Sequence, residues 1–159
     1  MIDAADLIRA DALQAEYAGA LDRRDMNGWL ECFDSQGSYI CTTLENVSQG
    51  LALPMMMDDC HQRLQDRVKF VSTVWAGTFE DYNTRHFVQR VSCLPAPGGL
   101  VTMTSNFLVT YTTAAGTAQI LGSGVYEDEI VVGPGPLRFR SKKAILDAAI
   151  APRYLVYPI

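Results

Sequence analysis

From Thr84 onward, apolar residues recur at every second position. Between Leu100 and Thr113, Val101, Met103, Phe107, Val109 and Tyr111 point one way, and Thr102, Thr104, Asn106, Thr110 and Thr112 point the other. A period of two is that of a pleated strand with one buried face. Strands are predicted near 84–94, 100–113, 117–131 and 137–149, joined at Gly98-Gly99, Ala114-Ala115-Gly116 and the GPGP of 133–136 as an antiparallel meander. Gly122 and Gly124 share one face of the third strand, where missing side chains imply a bulge, a bend or a close backbone approach. A sheet apolar on one face requires something to cover it.

The first third supplies the cover. Leu13, Tyr17 and Leu21 follow at i, i+4 and i+8, with Leu7 and Ala10 upstream, the spacing of an amphipathic helix. Asp25 is placed to cap a short second helix that turns Trp29, Leu30 and Phe33 inward. A short strand at 38–42 and a loop ENVSQGLALP follow. A third helix is expected from Asp58 or Asp59, with Asp59 and Gln62 as the capping signature and Asp59–Arg63 as an i,i+4 pair. Leu64, Val68 and Val71 form its buried stripe. Helices first and a curved antiparallel sheet after define an α+β fold. The chain reads as one domain over 1–159, without repeat, low-complexity segment or linker.

A domain of 159 residues buries roughly 68–70% of its unfolded surface and needs no staple. The formal net charge is −5 and no run of like charges exceeds three residues, which argues against non-specific nucleic-acid binding. No apolar stretch approaches the roughly 20 residues of a membrane span. MIDAADLIRADALQ has acids among its apolar residues and no basic start, so no signal peptide is expected. Cys32, Cys41, Cys60 and Cys93 are irregularly spaced without a CxxC, and are read as buried thiols in a reducing cytoplasm.

Chemistry-bearing residues are few. His61 and His86 are the two histidines, and their spacing gives no reason for them to converge with Asp58 or Asp59 on an iron. The cysteine-histidine pairs of a Rieske cluster do not occur. Asp58-Asp59 is read chiefly as a helix start, where the dipole favours negative charge, rather than as a general acid and base. Arg85-His86 is read as a salt-bridge or interface anchor. Glu127, Asp128 and Glu129 alternate faces, cannot all chelate one ion, and are assigned to a solvated or interfacial edge. Tyr111 and Tyr126 are expected as core or rim aromatics. No phosphate loop, nucleophile elbow or metalloprotease helix is present. No catalytic, cofactor-binding or metal-binding residue is assigned.

Five segments in order carry a resemblance. LDRRDMNGWLECFDSQGSYI looks like a helix followed by Trp, Phe and a strand Tyr. DDCHQRLQDRV, with Asp58, Asp59, Leu64 and Arg67, looks like a central helix. TRHFVQRV supplies an Arg-His strand, GSGVYEDEI a Gly-x-Tyr-x-Asp strand, and LRFRSKKAILD with Asp147 a last long strand. From about Tyr17 to the end, the chain resembles the small (β) subunit of aromatic-ring-hydroxylating (Rieske non-heme iron) dioxygenases. Cys60 and Arg90 depart from it, standing where many members carry Arg and Asn. NVSQGLAL (Asn46 to Leu53) and the ending VYPI look most like the small subunits of salicylate 5-hydroxylase, anthranilate and terephthalate dioxygenases.

The resemblance implies a cone-shaped fold of the nuclear transport factor two and scytalone dehydratase type. It implies a non-catalytic subunit in aromatic catabolism, holding large (α) subunits in a three-plus-three hetero-oligomer in the cytoplasm. A Rieske [2Fe-2S] cluster and a mononuclear iron would sit on the large subunit, with none on this chain. Electrons would come from NAD(P)H through a reductase, with or without a ferredoxin, and the substrate would be an aromatic carboxylate. The alternative is a stand-alone cone-fold dehydratase or isomerase using an Asp/His pair, with His86 and Asp59 as the candidates.

Overall fold

The computed structural model describes residues 2–78, 80–150 and 155–159. Helix α1 spans Ala4–Asp22, capped by the Asp3 carboxylate, which accepts from the Asp6 N–H at 2.7 Å. Its inward stripe is Ala10, Leu13, Tyr17 and Leu21, the residues that the periodicity selects. Arg24 ends it in a left-handed conformation (φ 59°), uncommon for a residue with a Cβ. Its guanidinium reaches the Tyr82 carbonyl and the Asp81 carboxylate. Asp25 caps α2 (Met26–Glu31) by accepting from the Gly28 N–H at 2.8 Å, which places Trp29 in the core.

Strand β1 (Phe33–Thr43) is longer than the expected 38–42 and takes Phe33 out of the helix. The segment read as a loop opens with a short helix, α3 (Leu44–Ser48), because the Thr43 hydroxyl caps it at the Asn46 N–H. Asp58 ends strand β2 (Met56–Asp58). Helix α4 (His61–Lys69) starts from Cys60, which makes no side-chain cap. Asp59 is therefore not the cap; it pairs with Arg63 at 3.4 Å as the i,i+4 spacing requires. A π-helical turn, Phe70–Val74, continues α4, and Leu64 and Val71 lie buried beneath it.

Strands β3 (Tyr82–Ala96), β4 (Leu100–Thr113), β5 (Ala118–Val131) and β6 (Arg138–Leu146) form the expected meander. The six-stranded sheet has the order β2-β1-β6-β5-β4-β3. Every pairing is antiparallel except β1 with β6, which run parallel from Ser38↔Ser141 to Thr43↔Leu146. The β4 alternation is as read, with Val101, Met103, Phe107, Val109 and Tyr111 all buried. Single extra residues interrupt the register at Val91, Leu121 and Arg140, sharpening the local twist. Helix α1 packs on β3, α4 on β1, and α2 between β1 and α4.

The two glycines of β5 answer to close approaches. A Cβ on Gly124 would overlap the Ile145 carbonyl oxygen of the neighbouring strand, and one on Gly122 would come within 2.8 Å of Leu146 Cδ2. Of the cysteines, Cys32 and Cys41 are buried free thiols, but Cys60 is exposed and Cys93 only partly covered, a departure from the expectation of four buried ones.

Candidate functional site

Three polar groups sit inside the cone. The first is an ion pair. Asp128 and Lys142 are direct cross-strand neighbours on the inner face of β5 and β6, and both side chains are fully buried. Lys142 Nζ donates to both Asp128 oxygens (3.1 and 3.0 Å) and to Gln14 Oε1 of α1 (2.9 Å). It also lies 3.8 Å from the ring centre of Tyr126 and 4.4 Å from those of Tyr17 and Phe139. Aromatic faces stabilise a desolvated cation. Burial pulls the Lys142 ammonium below its ordinary value, and raises the Asp128 carboxyl to about 6 despite the attraction of Lys142. Asp128 is therefore not part of a solvated edge; only Glu127 and Glu129, on the outer face, are exposed. The readable signal was phase, since Gly124, Tyr126, Asp128 and Ile130 share one face of β5.

The second group is a carboxylate–imidazole pair. Asp22, at the end of α1, lies 2.6 Å from His86 Nδ1 on β3; it also accepts from the His86 N–H at 3.1 Å and from the Thr84 hydroxyl at 2.9 Å. Burial pushes the Asp22 carboxyl up, but the hydrogen bonds from His86 and Thr84 outweigh it and leave the group below its ordinary value. The His86 side chain is only 2% exposed, and Nε2 has no hydrogen-bond partner. His86 lines an enclosed cavity of about 20 Å³ together with Leu21, Arg24, Tyr82, Thr84, Leu121 and residues 157–159. That is room for one water molecule.

The third group holds Ile159. Tyr17 and Tyr39 hydroxyls donate to its main-chain oxygen at 2.7 and 3.1 Å, and its N–H donates to the Tyr39 hydroxyl at 2.9 Å. Burial raises both tyrosines well above the usual phenol value, so both hydroxyls keep their protons.

Other residues singled out in the sequence lie elsewhere. Asp58 pairs with Arg67 through two hydrogen bonds of 2.9 and 3.1 Å at the β2 edge, away from β3. His61 begins α4 beside that edge, so the sheet separates it from His86. Arg85 is exposed and donates to the Thr84 carbonyl. Tyr111 and Tyr126 are core residues, Tyr126 stacked on Phe107 with centroids 4.3 Å apart. Among the described residues no three His, Cys, Asp or Glu side chains converge as a metal site. His61 and His86 lie on different elements, α4 and β3, and join no such cluster. No described helix is long and apolar enough to cross a membrane.

A helix-backed, six-stranded, mostly antiparallel cone of this kind is an α+β fold of the nuclear transport factor two type. Residues 16–153 match the family described as the ring hydroxylating beta subunit, and the chain belongs to that family. Among its relatives is the anthranilate 1,2-dioxygenase small subunit of Burkholderia cepacia, 29% identical across 92% of this chain and 90% of that one. A terephthalate 1,2-dioxygenase terminal oxygenase beta subunit of Comamonas sp is 24% identical across 96% and 97%. Among solved structures, the benzoate 1,2-dioxygenase beta subunit of Burkholderia mallei superposes with a TM-score of 0.74 at 21% identity, covering 92% of each chain. ActVI-ORFA of Streptomyces coelicolor superposes at 0.71 and 18% identity, covering 91% of this chain and 97% of that one, a likeness of fold alone.

Proposed function

We propose that this chain is a non-catalytic small subunit that holds Rieske- and iron-bearing large subunits in register in a three-plus-three terminal oxygenase. The observation that carries this reading is the apolar surface left uncovered around α3 and the segment after it. Ile40, Val47, Leu51, Leu53 and Met57 line an open groove of about 360 Å³, with Leu53 62% exposed. Patches of this kind mark interaction sites. The groove is built from the NVSQGLAL segment. Along the free edge strand β3, Phe87, Val91 and Leu94 are a second exposed apolar series. In this reading the metal chemistry and the substrate belong to the large subunit, fed with electrons from NAD(P)H by a reductase, with or without a ferredoxin. The names of the anthranilate and terephthalate relatives support an aromatic carboxylate as substrate. The chain acts as one domain in the cytoplasm.

The test is purification of the tagged chain from its native host after induction with an aromatic acid. A brown complex containing a larger partner in equal amount is expected, and Leu53→Asp and Arg85→Ala should weaken it while leaving the fold. A colourless homo-oligomer without a partner would overturn the reading. The second reading, a stand-alone cone-fold enzyme, is favoured by one observation, the Asp22–His86 pair. Its acid is then Asp22 and not Asp59, which is tied to Arg63 at the opposite edge.

A further inference from the structure

The outer face of the sheet carries a cross-strand row whose character changes along its length. The registers place Met57, Ile40, Lys143, Glu127 and Thr104 side by side on five successive strands, from β2 to β4. With strands about 4.8 Å apart the row is about 19 Å long, the span of about six residues of extended chain. Its first half is the floor of the apolar groove, walled by Val47, Leu51 and Leu53. Its second half opens into a neighbouring hollow of about 340 Å³, where Glu127 and Glu129 stand among Thr102, Thr104 and Ser141. Asp128 borders the hollow too, but its carboxylate is buried on the inner face with Lys142. Lys143 is the wall common to both, and the only charged residue lining the groove. It is held by Glu127 at 3.5 Å, which leaves the exposed Glu129 without a cation among the described residues.

We propose that this row is the footprint of one segment of the large subunit. Its apolar side chains fill the groove, and an arginine or lysine follows them into the acidic hollow to pair with Glu129 and Glu127. The inference rests on the subunit reading above and adds to it the chemistry of the partner. Apolar contact alone fits many occupants, and the charges select among them. An acidic segment would set its carboxylates against Glu129, which has no cation to share. A second copy using the same face would set acids against acids or against the apolar groove. A basic residue next to apolar ones meets both halves of the row. Leu53 and Met57, 62% and 46% exposed, then lie under the apolar centre of the contact, with the charge pairs at its rim.

The test uses the complex of the full chain with its large subunit. A benzophenone side chain replaces Met57, the complex is irradiated, and mass spectrometry identifies the cross-linked peptide. A large-subunit peptide with apolar residues beside an arginine or lysine is expected. Glu129→Lys should weaken association by about tenfold and lessen its sensitivity to salt, with Glu129→Gln between it and the parent. Changing the identified basic residue to glutamate should restore binding to Glu129→Lys. A cross-link to another copy of this chain, or to a large-subunit peptide without a basic residue, would overturn the proposal. So would a Glu129→Lys chain that binds as the parent does; the subunit reading survives each of these results. A parent chain that captures no large subunit overturns both. Should Glu129→Lys not fold, Glu129→Gln decides, since it removes the charge without reversing it, and unaltered binding by that variant refutes the pairing.

Discussion

Replacing Lys142 by methionine keeps an unbranched stem of similar length in place and removes the ammonium. What remains is the Asp128 carboxylate, fully buried, with its two hydrogen bonds from Nζ gone. Breaking one side of such a pair costs about 3–5 kcal/mol, because the partner is left charged and unsolvated. The lost contact with the Tyr126 face lies within that figure. With a urea slope of about 2 kcal/mol per molar, a cost of 4 kcal/mol moves the unfolding midpoint down by about 2 M. Asp128→Leu/Lys142→Met should recover most of the loss, since replacing both charges by packed apolar groups is often neutral or better. The pH dependence gives a second reading. In the parent, burial raises Asp128 from 3.8 to about 6, so across that window the native state holds a proton the unfolded chain has lost, and stability declines as pH rises. Without Lys142 only the raising influence is left, so the penalty of the single variant should shrink as pH falls from about 7 to about 5. A single variant costing under about 1 kcal/mol, or a double variant no better than the sum of its parts, would refute the account of this pair.

Gly124→Ala should cost about 3 kcal/mol or more in chemical denaturation, because its Cβ is driven into main-chain atoms of β6, which cannot step aside. Gly122→Ala meets only side-chain ends, Leu146 Cδ2 and Ile159 Cδ1, and should stay within about 1 kcal/mol. Asp22→Asn should cost about 1.5–3 kcal/mol near neutral pH by weakening the bonds from His86 and Thr84. The sign of its pH dependence is opposite to that of Asp128. The folded carboxyl lies below its usual value of 3.8, so its contribution is complete above that value and is lost as pH falls through the folded one. The substitution should therefore flatten the acid limb of a stability profile followed by circular dichroism.

Local period made α1 and β3 to β6 legible, since each carries its own apolar repeat of 3.6 or two, and the Asp25 cap did the same for α2. The parallel partnership of β1 with β6 was not, because nothing within FDSQGSYICTT distinguishes a partner a hundred residues away from one nearby. The start of α4 was misplaced by a rule that was locally satisfied. Asp59 and Gln62 fit a capping box, yet Asp58 is drawn into β2 and toward Arg67, and the helix begins one residue later than Asp59 would place it. Inside the cone, Asp128 looked like part of a solvated run because its neighbours are. Only the phase it shares with Tyr126 separates it from them. The Asp22–His86 pair had no sequence signal, for it joins a helix end to a strand across 64 residues.

The parallel seam between β1 and β6 has a consequence for synthesis. A ribosome delivers β1 long before β6 exists, so Tyr39 and Cys41 must wait for Lys142 and Ala144 before their strand has its second neighbour. Helix α1 can form at once, but Gln14 and Tyr17 gain their charged partner only when the final strand arrives. Such late, long-range closure slows folding and leaves apolar strands uncovered in the meantime. The nascent chain should consequently lean on chaperones until nearly all of it has emerged, and fragments ending before Arg138 should aggregate rather than fold.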